Sequence, residues 1–139
     1  DWSSDVCSSD LIVATDHAPH PAETKECEWQ AASFGMLGLE TALSIVNLTM
    51  VQSGLMNWQT VGERMSATPA KIGRYENHGH GITVGKAAHI TIMNPHATHR
   101  VDRDLLASRS RNTPFHGMEL PGQVQATFFN GTLTFMAGA

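Results

Sequence analysis

The chain has 139 residues, 41% of them hydrophobic and 16% charged, and a formal net charge of −4. These values suit one globular domain at most, and the lack of any apolar run of about 18 residues excludes a membrane-spanning helix. The mildly acidic balance and scattered basic residues speak against nucleic acid, and two cysteines, Cys7 and Cys27, make neither a disulfide framework nor a four-cysteine zinc site, so a reducing cytoplasm is the default compartment.

The first eleven residues, Asp1-Trp2-Ser3-Ser4-Asp5-Val6-Cys7-Ser8-Ser9-Asp10-Leu11, have no helical or strand period. They resemble the conceptual translation of a sequencing-adapter oligonucleotide, an extraneous scar to be kept out of fold reasoning. On that reading Trp2 and Cys7 carry no function, and the true coding sequence is expected to continue upstream of Ile12. Without Asp1, Asp5 and Asp10 the formal charge moves from −4 to −1, so most of the acidity belongs to this stretch. No basic region followed by an apolar stretch reads as a signal peptide.

Ile12-Val13-Ala14-Thr15 is a short β-branched apolar run, expected as the end of a buried strand. Asp16 to Ser33, with Pro19 and Pro21, reads as a loop. Met36, Leu39, Leu43, Val46 and Met50 then recur every three or four positions, predicting a helix that stops at Gly54. Asn57 is placed to cap a second helix with Trp58, Val61 and Met65 on one face. Pro69 can open a short third helix to Ile72, stopped by Gly73. Beyond it the period becomes two. Ile82 and Val84 alternate before Gly85, and Ile90 and Ile92 before Asn94-Pro95. Val124, Ala126 and Phe128 face Leu133 and Phe135 across the turn Asn130-Gly131. There is no internal repeat.

The chemistry concentrates in Thr15-Asp16-His17-Ala18-Pro19-His20. In an α/β barrel, residues at strand C-termini point into the active face. A carboxylate at Asp16 could ligate a divalent cation and take a proton from water. His17 and His20 could ligate a metal or donate hydrogen bonds to a carboxylate substrate. Asp before His and Pro is also ordinary turn chemistry, so spacing alone leaves both readings open.

Asp16-His17-Ala18-Pro19-His20, continued by Lys25-Glu26-Cys27-Glu28-Trp29 and by Ser33-Phe34-Gly35-Met36-Leu37-Gly38-Leu39-Glu40-Thr41, resembles the bacterial class I dihydroorotases of the amidohydrolase superfamily. Ser110-Arg111-Asn112-Thr113-Pro114-Phe115 and Gly122-Gln123-Val124 resemble the same family's tail. Pro69-Ala70-Lys71-Ile72-Gly73 and Gly81-Ile82-Thr83-Val84-Gly85-Lys86 are shared by much of the superfamily and speak for the fold more than the substrate.

The resemblance covers nearly everything from Ile12 on and implies the C-terminal third of an α/β protein. Residues 12–76 would be the last strand, active-site loop and helices of a TIM-type (β/α)8 barrel, and residues 77–139 strands of a small β-sandwich. It further implies zinc-dependent, reversible cyclisation of N-carbamoyl-L-aspartate to L-dihydroorotate, a step of pyrimidine biosynthesis. Asp16 would be a ligand to zinc (one or two ions) and the general base. His20 would bind a substrate carboxylate, and Phe34 and Gly35 would offer backbone groups at a helix entry. A homodimer or an aspartate transcarbamoylase partner is implied for the whole protein. His17 stays open between a structural and a direct role. The family's His-x-His pair and middle-strand ligands are not in this chain, and a barrel needs roughly 250 residues. The chain alone is therefore expected to be inactive, to hold zinc weakly and to expose apolar surface.

Other residues carry blander readings. Lys25, Glu26 and Glu28 suit a solvated loop face or a mobile cover over the site. His78-Gly79-His80 lacks a third ligand and reads as loop. Cys27 reads as a lone inert thiol, and Trp58 and Met65 as core. Arg109 and Arg111 are surface charges or subunit contacts. His89, where the superfamily usually has Asp, and His116, where an aliphatic residue is commoner, depart from the family pattern at a potential cost in stability. Three other functions compete. One is another cyclic amidase, such as a hydantoinase or allantoinase, which usually carries a different residue at the His20 position. The others are a non-catalytic dihydroorotase-like subunit of a transcarbamoylase assembly and a stand-alone binding module.

Overall fold

The computed structural model describes residues 11–138, so the reading of residues 1–10, Trp2 and Cys7 included, lies outside the described residues. Its helices are short. α1 spans Ala22–Lys25. α2, Ala42–Val46, runs on into a wider π turn, Asn47–Val51. The chain leaves it at Gly54, whose φ of +78° only glycine adopts freely and whose N–H donates to the Val51 carbonyl. The helix predicted from Met36 therefore begins six residues later. Met36 is held extended in an isolated bridge with His17, and the Gly38 and Leu39 N–H groups are taken by the His17 ring, so regular helical bonding starts only beyond them.

The Asn57 cap forms as expected, its Oδ1 accepting the Thr60 N–H at 2.9 Å. From there α3 (Trp58–Gly62), a π turn (Glu63–Ala67) and α4 (Thr68–Ile72) make one continuous run where two helices were predicted. Pro69 has no N–H to give the turn before it, and a widened turn just upstream accommodates that missing donor.

Three strands, β1 (Ile90–Arg100), β2 (Glu119–Phe129) and β3 (Thr132–Met136), form a sheet in the order β1-β2-β3. β2 and β3 pair antiparallel with Phe129 opposite Thr132, around Asn130 (φ +50°) and Gly131 (φ +81°), the left-handed pair that a tight hairpin needs. Three expectations about strands fail. Ile82 and Val84 are almost fully exposed outside any strand, since two alternating residues between glycines bury too little to order a strand. Ile12 to Thr15 is likewise not a strand; Val13 donates to the Arg64 carbonyl at 3.1 Å, and among the described residues no strand pairs with it. β1 also continues through Asn94-Pro95, where the pattern was expected to break.

The chain divides into two compact units. The first comprises residues 11–14, 50–94 and 124–138, and its small core is Val61, Ala70 and Ala126. Gly79 lies so close to this core that an added Cβ would stand 2.7 Å from that of Ala70. The second comprises residues 15–49 and 95–123, with Leu37, Val46, Val101 and Leu120 buried. Two of its buried polar side chains find backbone carbonyls: Ser44 Oγ donates to the Gly122 carbonyl at 2.8 Å and Asn47 Nδ2 to the Pro95 carbonyl at 2.9 Å, whereas the His99 Nδ1 atom is buried without a hydrogen-bond partner among the described residues. Among the described residues no helix is long and apolar enough to cross a membrane.

Candidate active site

All four residues singled out for substrate chemistry lie in the second unit. Asp16 is exposed and turns the chain with φ +46°, a left-handed conformation that Asp tolerates better than most side chains. The following residues dock on the Phe34–Leu39 segment. The Ala18 N–H donates to the Met36 carbonyl at 2.9 Å. His17 Nδ1 accepts the N–H groups of Gly38 at 3.1 Å and Leu39 at 3.3 Å. An accepting Nδ1 puts the proton of the neutral ring on Nε2, so His17 fastens the loop by its inner nitrogen.

Glycine is required twice in this contact. A Cβ on Gly38 would stand 2.9 Å from the Thr15 carbonyl oxygen. One on Gly35, whose φ is +101°, would stand 2.4 Å from Ala18 Cβ and 3.7 Å from His20 Nε2. The His20 ring and the Gly35 backbone are thus neighbours, brought together from 15 positions apart, and Phe34 beside them is 95% exposed.

Two residues hold this arrangement that the sequence did not mark. Lys25, expected on a solvated loop face or in a mobile cover over the site, is half-buried and donates from Nζ to the carbonyls of Ser33 at 2.7 Å and Gly35 at 3.0 Å. Asn112 donates from Nδ2 to the carbonyls of Ala18 at 2.8 Å and Gly35 at 3.4 Å, while its Oδ1 accepts the His20 N–H at 3.2 Å. Both fall inside family-like stretches, but nothing local distinguishes them; these contacts of Asn112 join residues 77 to 94 positions apart.

A cleft of about 680 Å³ opens beside them, lined by His20, Gly35 and Asn112 among others, within the size range of small-molecule sites. Lys25, Arg103, Arg109 and Arg111 outnumber Glu26 and Asp104 along its wall, a balance that favours an anionic ligand. Arg111 braces its own loop, with Nη1 donating to the Ser108 and Ser110 carbonyls and Nε 3.5 Å from Asp104 Oδ1. That ion pair is exposed and contributes little by itself.

The remaining candidates lie elsewhere. Cys27 is exposed. His116 Nδ1 accepts the Arg103 N–H at 3.1 Å, so its lone pair is engaged and the Asp102 carboxylate 3.9 Å away makes no ion pair through that nitrogen. In the first unit, His78-Gly79-His80 does meet a third histidine. The His78 and His89 ring centres are 4.1 Å apart, and His80 and Phe129 flank His89. The His89 ring is tilted by 44° to that of His78 and stands edge-on, at 76°, to that of His80. Among the described residues no group of three His, Cys, Asp or Glu side chains could hold a metal ion.

No family model matches the chain, but individual proteins do. It is 53% identical over 127 residues to a dihydroorotase of Streptomyces coelicolor, covering 91% of this chain and 30% of that protein. It is 48% identical over 126 residues to a dihydroorotase of Mycobacterium tuberculosis, covering 91% and 29%. Among solved structures, an L-hydantoinase (dihydropyrimidinase) of Arthrobacter aurescens superposes with a TM-score of 0.82 at 32% identity, covering 94% of this chain and 29% of that one. A D-hydantoinase of Thermus sp. superposes at 0.79 with 21% identity over 92% and 29%, a likeness of fold alone. The fold is that of part of these hydantoinases, the α/β class expected from the sequence. The chain spans about 30% of the length of the curated relatives it matches, and across that span it is similar to dihydroorotases.

Proposed function

We propose that the protein carrying this segment interconverts N-carbamoyl-L-aspartate and L-dihydroorotate, and that residues 12–139 supply one wall of its active site. The observation that carries the proposal is the docking of Asp16–His20 on Phe34–Leu39, with His20 Nε2 over Gly35 and a cationic cleft alongside. The substrate is anionic and its reacting amide lies within a ring. His20 and the cleft suit its carboxylate, and the exposed Asp16 carboxylate suits the proton transfers. In the hydrolytic direction Asp16 accepts a proton from the attacking water and delivers it to the leaving ring nitrogen; in the cyclising direction the transfers reverse. Both lone pairs of the Gly35 carbonyl already face donors, Lys25 Nζ and Asn112 Nδ2. The backbone contacts assigned to Phe34 and Gly35 therefore fall to their N–H groups or to the Phe34 carbonyl.

The described residues do not by themselves fit a zinc ion. Asp16 offers one ligand where zinc takes three or four from protein, so zinc binding, with Asp16 as one ligand, is proposed only for a protein that brings the others. The division into a barrel part, 12–76, and a β-rich part, 77–139, belongs to the same proposal. So do a cytoplasmic location and a homodimeric or transcarbamoylase-associated state.

The test is a hybrid in which residues 12–139 replace the matching 30% of the Streptomyces coelicolor relative. The hybrid is expected to hydrolyse dihydroorotate. Hydrolysis of hydantoin or allantoin in its place would favour the other cyclic amidases, and absence of any turnover would sink the reading.

A further inference from the structure

We propose that Asn112 is a positioning residue for substrate binding, whose single carboxamide sets the distance between the His20 segment and the Gly35 peptide; this rests on the function proposed above. One planar group meets both sides of the site. Its amide nitrogen donates to the Ala18 and Gly35 carbonyls and its oxygen accepts the His20 N–H. The Asn112 backbone carbonyl adds a fourth tie, accepting the Leu37 N–H at 3.2 Å. The group must be donor and acceptor at once, which only a carboxamide of this length provides. An ionised aspartate of the same shape would turn an oxygen toward two carbonyl oxygens. Glutamine would carry the group one methylene too far.

Lys25 adds a second donor, since its ammonium and the Asn112 amide share the Gly35 carbonyl. That peptide is thus held by two side chains, and its glycine leaves no room between it and Ala18. None of these Asn112 bonds reaches Asp16. Asn112 therefore governs where the substrate sits and leaves the proton transfer largely untouched.

Asn112→Asp and Asn112→Leu in the hybrid, with Lys25→Met as a milder companion, test this. Loss of one or two ordinary hydrogen bonds at the substrate edge is worth about tenfold or more. KM for dihydroorotate is expected to rise by at least about tenfold in both Asn112 variants, with kcat changing less than about threefold. Lys25→Met should move KM in the same direction by less. Amide hydrogen exchange should quicken in residues 17–21 and 33–37 and stay unchanged in 58–72. A fall in kcat at constant KM, or unchanged exchange in those two loops, would overturn the proposal. So would uniformly faster exchange, which marks a merely structural residue. A hybrid that never turns over dihydroorotate refutes the functional reading instead, and the exchange measurement then decides alone whether Asn112 ties the two loops.

Discussion

Gly35→Ala probes the contact on which the site depends. Two costs add. The residue sits at φ +101°, and forcing an L side chain into left-handed space costs about 1–2 kcal/mol. The new Cβ would also stand 2.4 Å from Ala18 Cβ, more than 1 Å inside ordinary contact, and overpacking of this kind costs about 1–3 kcal/mol. The expected destabilisation is therefore about 2–5 kcal/mol. Gly54→Ala supplies the control, because its φ is +78° but its Cβ would meet nothing within 4 Å; only the backbone cost of about 1–2 kcal/mol applies. Ala18→Gly removes the methyl that Gly35→Ala strikes, so the double variant should recover about 1–3 kcal/mol beyond additivity. Urea denaturation of the parent hybrid and these four variants measures all of this. If Gly35→Ala costs no more than Gly54→Ala, or the cycle is additive within about 0.5 kcal/mol, the packing of Ala18 on Gly35 is not what holds the two loops. Turnover adds a second reading. An ångström of displacement between His20 and Gly35 should lower kcat/KM by about a hundredfold, with Ala18→Gly restoring part of it.

Asp16→Asn in the hybrid should lower dihydroorotate turnover by about 10²–10⁴-fold. Stability should stay within about 0.5 kcal/mol, since asparagine accepts φ +46° as readily as aspartate; turnover within a factor of ten of the parent would remove Asp16 from the proton transfer. The His89 pKa is lowered from its ordinary value of 6.5 by burial first, then by His78 and His80. The unfolded chain therefore binds this proton more tightly than the folded one. The contribution of His89 to stability is complete above about pH 6.5 and is lost as pH falls through 6.5 toward the folded value. His89→Asn should flatten thermal stability between pH 7 and pH 5, and an unchanged slope would dismiss the histidine cluster as its source.

What was legible in the sequence was local. Asn57 caps because its own side chain reaches three residues on, and Asn130-Gly131 turns because those two residues tolerate positive φ. What was illegible depended on partners far along the chain. Ile12 to Thr15 has strand composition but finds no neighbouring strand among the described residues, whereas Pro95 breaks a pattern yet stays inside β1. The helix expected from Met36 starts late because a histidine 19 positions earlier bridges that residue. At the site, Asp16, His20, Phe34 and Gly35 came from a motif. Lys25 and Asn112, which tie the motif together, have roles that exist only once the loops are folded onto each other.

Pro95 has a further consequence. It lies in the middle of β1, an outer strand of the sheet, and a proline is tolerated in a strand only where its nitrogen faces away from the ladder. The outer rim of β1 therefore lacks a donor at its midpoint and cannot template a regular neighbour there. The opposite rim, β3, carries no proline and leaves Leu133 and Phe135 half-exposed. A further strand, were one to be added, would therefore pair with β3 rather than with the middle of β1.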